Sequence, residues 1–285
     1  MKLARIGDAA REAPCILGED GRYRDVSALV PDFGPASLGE DLLELLRDAD
    51  LGAFPLVEPA GQRFGPPVAL PRNIWCIGLN YVDHAKEARL PIPEEPILFN
   101  KSSATWSGPN DPIPFTPTMT KLDWEVELGV VIGKSALDVS EEDALTHVFG
   151  YCVINDVSER AWQQERGGQW VKGKSYPGFC PAGPLLVTAD EIPDPQDLSL
   201  WLDVNGEAAQ RGTTESMIFS VKKIISYMSE FARLEPGDII LTGTPPGVGA
   251  GMKPPRFLQP GDTVSLGVAG MGTQTQSVVA TEART

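Results

Sequence analysis

Asp123 to Gly133, read as Asp-Trp-Glu-Val-Glu-Leu-Gly-Val-Val-Ile-Gly, constrains this chain more than any other stretch. The run is rich in β-branched and aromatic residues and ends in glycine, which predicts a strand. Side chains two apart on a strand share a face. Glu125 and Glu127 therefore project together, while Val126 and Leu128 point the other way. Neighbouring carboxylates repel and resist desolvation unless positive charge sits between them. Two readings stand at this point: a hard divalent cation held by both glutamates, or a solvated strand face on which they look into water.

Composition narrows the class. A chain of 285 residues makes one large domain, or a main domain with a smaller one, and can bury a sizeable core without disulfides or metal. Its net charge of −15 speaks against a nucleic-acid partner, which calls for a basic patch. An anionic ligand would need a local positive site. Cys15, Cys76, Cys152 and Cys180 are scattered, with no Cys-x-x-Cys, and there are 2 histidines, so zinc-finger and redox-motif readings fail. The same cysteine usage fits a reducing cytoplasm. No apolar run has the length to span a bilayer, and the first residues lack a signal-like apolar core. A cytoplasmic protein without a membrane partner is expected. The 29 glycines and 26 prolines point to many turns and short strands.

Along the chain, residues 1–65 read as a small N-terminal α+β domain and 66–285 as the main one. Strands between Arg5 and Tyr23 meet at a tight Asp20-Gly21 turn, and a capping box, Ser37-Leu-Gly-Glu40, opens a helix. A Pro- and Gly-rich linker covers 61–73. A buried strand at 74–79 precedes a helix that places His84 and Glu87, spaced i,i+3, on one face. Such a carboxylate can orient an imidazole for general-base work; a chance surface ion pair has the same spacing. Pro91, Pro93 and Pro96 make a mobile flap of this segment. Lys101 follows, and Ser140 begins a further helix. The apolar strand 149–155 ends in Asp156, either a ligand delivered to a site or the N-cap of a helix starting at Val157. Positive charge then concentrates at Arg160, Arg166, Lys172 and Lys174, with Gln163 among them. Asn205-Gly206 predicts a hairpin. An amphipathic helix spans 216–233, and 238–243 is a buried strand. The glycine-rich run 244–251 lacks a Walker lysine and a following helix. It reads as a tight loop offering a hydroxyl and backbone amides to a pocket, or as a plain surface turn. A closing hairpin spans 261–279.

Five of these stretches occur together and in order: Gly78-Leu-Asn-Tyr-Val-Asp-His-Ala-Lys-Glu87, Asp123-Trp-Glu-Val-Glu-Leu-Gly129, Asn155-Asp-Val-Ser-Glu-Arg-Ala-Trp-Gln163, Gly173-Lys-Ser-Tyr176 and Leu241-Thr-Gly-Thr-Pro-Pro-Gly-Val-Gly249. The set resembles the fumarylacetoacetate hydrolase family over about 70–265. The resemblance implies an α+β, mainly β fold: a mixed β-roll catalytic domain behind a small N-terminal domain, usually dimeric. It implies Glu125, Glu127 and Asp156 as metal ligands, His84 and Glu87 as a catalytic pair with Lys174, and Arg160, Gln163, Lys101 and Thr244 as substrate contacts. Three carboxylates favour Mg²⁺, or Mn²⁺, over Zn²⁺. Ala161 stands where many members have Asp. His147 has no motif around it and is read as structural. The whole length resembles most the branch acting on sugar-acid catabolites. The expected substrate is an anionic 2-oxo acid, a 2,4-diketo-3-deoxy acid of the L-rhamnonate or L-fuconate type, split to pyruvate and lactate. Ureidoglycolate cleavage, 2-oxo diacid decarboxylation and isomerisation on the same scaffold are the competing activities.

Overall fold

Of the predicted strand, Val126–Ile132 forms and all of it is buried, while Glu125 lies just before it and Leu122–Asp123 pairs separately with Ser158–Glu159. The structure is a computed structural model that describes residues 1–88 and 90–282; Arg89 and the last three residues of the expected 66–285 domain lie outside them. A strand buried on both faces needs a layer against each. Val126, Leu128 and Val130 face a core shared with Leu200, Leu202, Val264 and Leu266. Val131 turns to the opposite core, with Cys152, Ile154 and, from helix α1 (Glu40–Asp48), Leu42 and Leu46.

The strand lies near the middle of a ten-stranded mixed sheet. It pairs antiparallel with Val148–Asn155 on one side and with Ile239–Leu241 on the other. Ile239–Leu241 runs parallel to Ile74–Gly78, which pairs with the edge strand Ile97–Lys101. In the other direction Leu186–Thr188 links to Lys2–Ile6, so the N-terminal strands continue the same sheet. A second, five-stranded sheet contains Glu207–Thr213, Ser199–Val204, Thr263–Val268, Thr273–Ala280 and Ile113–Phe115. The result is the expected α+β, mainly β roll. Its other α-helices among the described residues are α2 (Val82–Ala88), α3 (Arg160–Gln164), α4 (Val171–Lys174) and α5 (Val221–Phe231).

Both predicted tight turns form: Gly21 (φ 75°) joins Ala13–Leu17 to Tyr23–Asp25, and Asn205 (φ 55°) with Gly206 (φ 79°) closes its hairpin. Helix boundaries differ from the sequence expectation where side chains found other partners. The Ser37 hydroxyl donates to Asp32 O at 2.6 Å, and α1 starts behind Gly39 without a side-chain cap. The helix expected from Ser140 is a single 3-10 turn, Ala144–His147, while Ser140 bonds Asp143. The amphipathic helix is shorter than 216–233, because Ser220 caps it through Lys223 N. No helix starts at Val157. Ser158–Glu159 stays extended against Leu122–Asp123, and Glu159 caps α3.

Close packing between neighbouring strands makes one glycine a sharp test of the sheet. A Cβ on Gly150 would lie 2.3 Å from Val187 O and 3.0 Å from Thr188 Cα, both backbone atoms. Gly150→Ala is expected to lower unfolding free energy by about 2 kcal/mol, the range for overpacking, measured by urea denaturation. A loss below about 0.5 kcal/mol, typical of surface sites, would show that the strands separate freely there.

Candidate active site

Strand alternation carries Glu127 to the same face as Glu125, and the neighbouring strand delivers Asp156 beside them, with Asp156 N donating to Glu125 O at 2.9 Å. One ligand oxygen from each of the three lies within 4.8 Å of the other two. All three residues are buried. Lys174, from the last turn of α4, places Nζ 2.8 Å from Glu125 Oε2 and 2.5 Å from Asp156 Oδ2. Lys101 Nζ reaches Asp156 Oδ1 at 2.5 Å and Val157 O at 3.1 Å. Arg160 sets Nη2 2.7 Å from Glu125 Oε1, an ion pair without hydrogen-bond geometry, and donates from Nε to Asp123 Oδ2 at 2.8 Å.

These cations are unevenly shared. Burial would raise the Glu125 carboxyl, yet Lys174 and Arg160 hold it well below the usual range. Glu127 is the reverse case. Burial, then the charges of Asp156 and Glu125, push its carboxyl well above the ordinary value, against the Lys174 charge and one backbone donor, Gly243 N at 2.7 Å. Asp123, Glu125, Glu127 and Asp156 thus outnumber Lys101, Lys174 and Arg160, and the shortfall falls on Glu127. An all-oxygen donor set short of positive charge fits a hard divalent cation.

Above the carboxylates, α2 brings His84 Nδ1 to 3.2 Å from Glu87 Oε2. A cavity of about 560 Å³ joins the two groups. His84, Glu87, Glu125, Glu127, Asp156, Arg160, Gln163, Lys174 and Thr244 all border it. Lys101 does not: it is buried behind Asp156 with its ammonium consumed. The Thr244 hydroxyl is likewise committed, donating to Val126 O (2.9 Å) and accepting from Gln210 Nε2 (2.8 Å). His147 is structural, Nδ1 facing Lys134 O at 3.2 Å. Apolar and aromatic side chains make up much of the remaining wall, among them Ile77, Leu79, Phe99, Trp170 and Val248, with Gln164 as a further polar group. Trp170 meets Phe99 edge-on at 5.3 Å, and Lys174 Nζ stands 5.5 Å from the Phe99 ring.

Several site-building residues escaped the sequence reading. Asn155, one residue before Asp156, accepts from Glu125 N and donates to Gln276 Oε1, and Gln276 donates to Gln274. This buried amide chain anchors the ligand strands to the second sheet. Gln210 similarly accepts from Val126 N. Polar residues at buried strand positions were the available signal; the bonds that tie the ligand strands to the second sheet join residues 84 and 121 apart, Gln210 to Val126 and Asn155 to Gln276.

A family description, "Fumarylacetoacetate (FAA) hydrolase C-terminal", matches residues 73–279. The chain belongs to the fumarylacetoacetate hydrolase family. A Burkholderia ambifaria member named "Putative hydrolase" is 52% identical over 278 residues, covering 97% of this chain and 98% of its own. The fumarylacetoacetate hydrolase of Exiguobacterium antarcticum superposes with a TM-score of 0.85 at 38% identity, over 99% of this chain and 100% of that one. Maleylpyruvate hydrolase of Sphingobium sp. SYK-6, solved with manganese(II) and pyruvate, gives a TM-score of 0.80 at 29% identity, over 98% and 99%. Solved structures of this fold thus carry hydrolase names, and isomerase names occur among them as well.

Removing Lys174 leaves Glu125 and Asp156 buried without their shared cation. In metal-free protein Lys174→Ala is expected to cost about 3 kcal/mol, as for other broken buried pairs, read by urea denaturation. Added Mn²⁺ is expected to restore part of that loss in the variant. An unchanged midpoint in metal-free protein would show that the pair contributes nothing net.

Proposed function

We propose that this protein is a divalent-metal-dependent hydrolase that cleaves the C3–C4 bond of a 2,4-diketo acid, with Glu125, Glu127 and Asp156 as metal ligands. One observation carries the reading: the charge-deficient carboxylate cluster and the His84–Glu87 pair open onto one cavity. Mg²⁺ or Mn²⁺ in the cluster would supply Lewis-acid polarisation of the substrate's 2-oxo acid oxygens. Arg160 and Gln163, joined by a 3.1 Å hydrogen bond and bordering the same cavity, would receive the substrate's anionic end. Glu87 faces Nδ1 of His84, which leaves Nε2 to take a proton from water. The hydroxide adds to the C4 carbonyl. The C3–C4 bond then breaks, its electron pair passing to the enolate of pyruvate, and protonation at C3 completes one water consumed for two acids released. Lys174, which the Asp156 and Glu125 carboxylates hold firmly protonated against the cost of burial, steadies negative charge developing on that side.

The apolar wall bears on the distal group. A 2,4-diketo-3-deoxy-L-rhamnonate or -L-fuconate ends in a methyl-bearing carbon with one hydroxyl, which suits Leu79, Trp170 and Val248 better than a second carboxylate would. The products would then be pyruvate and lactate.

A panel of 2-oxo acids with Mg²⁺ or Mn²⁺, assayed for pyruvate, tests this. Release from the 2,4-diketo-3-deoxy acids is expected. Turnover of ureidoglycolate or of a 2-oxo diacid, with none of the diketo acids cleaved, would overturn the substrate assignment. For the metal ligands, Glu125→Ala is expected to abolish both metal binding in calorimetry and turnover; near-normal activity would sink the ligand set. His84→Ala is expected to lose at least about 100-fold in kcat, the scale of general-base catalysis, while still binding Mn²⁺. Loss of metal binding as well would assign His84 a different role.

A further inference from the structure

Glu87 is gripped by more than His84. Gly247 N donates to its Oε1 at 3.1 Å and its Oε2 at 3.2 Å. The carboxylate also rests against Gly251, where a Cβ would stand 2.4 Å from Glu87 Cδ and 2.7 Å from Oε1. The three atoms nearest that position all belong to Glu87, and Gly251 is outside the left-handed region, so the space it leaves serves this one side chain. The loop is fixed from below by Asp123, fully buried and given no role by its place in the sequence. Asp123 accepts from Gly249 N (2.7 Å), Ala250 N (3.0 Å), Trp124 N (2.9 Å) and Arg160 Nε (2.8 Å). Trp124 Nε1 adds a bond to Gly247 O at 3.1 Å.

Helix α2 needs such a grip. At seven residues it is far below the length that holds a helix in water by itself. Its Asp83–Lys86 pair is exposed and adds little. Glu87 is where the end of the helix bearing His84 meets the body of the protein.

We propose that residues 247–251 form a seat for Glu87, and that Gly251 and Asp123 are positioning residues that fix the His84–Glu87 pair above the carboxylate cluster. The proposal rests on the reading of His84–Glu87 as the proton-accepting pair. Asp123 holds two parts of the site at once, the loop that receives α2 and the Arg160 guanidinium beside Glu125. A shift in one carboxylate would therefore move the water-activating pair and the substrate-facing cation together.

The test is Gly251→Ala in the full chain with Mn²⁺, followed by kinetics on the 2,4-diketo acid, Mn²⁺ calorimetry, and hydrogen exchange of 82–88 against 126–132. Expected are a roughly 100-fold fall in kcat, the cost of an ångström-scale misplacement, with KM and Mn²⁺ affinity nearly unchanged. Exchange should rise in 82–88 and stay at the wild-type rate in 126–132. Wild-type exchange in 82–88 would overturn the seat, as would wild-type kcat where Glu87→Ala is itself impaired; faster exchange in both segments would make Gly251 merely structural and overturn it too. Asp123→Asn replaces one of the two acceptor oxygens by an NH₂, and each oxygen serves one loop amide, Gly249 N or Ala250 N. It should give the same rise in 82–88, together with a higher KM from the released Arg160; unchanged exchange there would remove Asp123 from the proposal. Full turnover by Glu87→Ala would instead overturn the proton-accepting reading, and the exchange of Gly251→Ala would still decide the seat.

Discussion

The placement of Lys174 between Glu125 and Asp156 is the constraint on which the site depends. Each buried charge costs several kcal/mol to desolvate, so carboxylates at the centre of a β protein stay ionised only where cations are drawn in from elsewhere. Lys174 comes from a one-turn helix, Lys101 from an edge strand and Arg160 from the start of α3. Their convergence settles where these elements sit relative to the central strand. It also explains why α3 begins at Arg160 and not at Val157: Asp156 is occupied by two lysines and is not free to cap a helix.

The second organising feature is the use of backbone amides by protein carboxylates. The loop following Ile239–Leu241 reads in sequence as a place for amides facing a pocket. In the fold its N–H groups go instead to Glu127 from Gly243, to Glu87 from Gly247 and to Asp123 from Gly249 and Ala250. The glycines are there for close approach: a Cβ on Gly249 would lie 2.0 Å from Arg256 O, and one on Gly247 2.1 Å from Ala209 O. The loop therefore works as a fastening between the helix that carries His84 and the strand that carries Glu127.

The cavity has two characters. Its floor is charged and its wall, through Phe99 and Trp170, is apolar. Gly78 makes room for Trp170, whose ring a Cβ there would meet at 2.3 Å. Charge at one end and apolar surface at the other match a ligand with an oxygen-rich head and a small hydrocarbon tail, the shape of a deoxy diketo acid.

Much of this was legible in the residues. Period-two alternation put Glu125 and Glu127 on one face, i,i+3 spacing paired His84 with Glu87, and Asn205-Gly206 set its hairpin, because each depends on backbone geometry within a few residues. The order of the five motifs gave the family. Partners far apart in the chain were another matter. Nothing local distinguishes a Lys101 facing substrate from one holding Asp156, a Ser37 capping a helix from one bonding Asp32, or an Asp123 on a strand from one fastening a loop 126 residues later. Which polar group satisfies a buried polar group is decided by sheet order and packing, since only the folded arrangement determines which donors and acceptors lose water together. The sequence determined the carboxylates and their spacing; the tertiary structure decided which cations and amides would hold them.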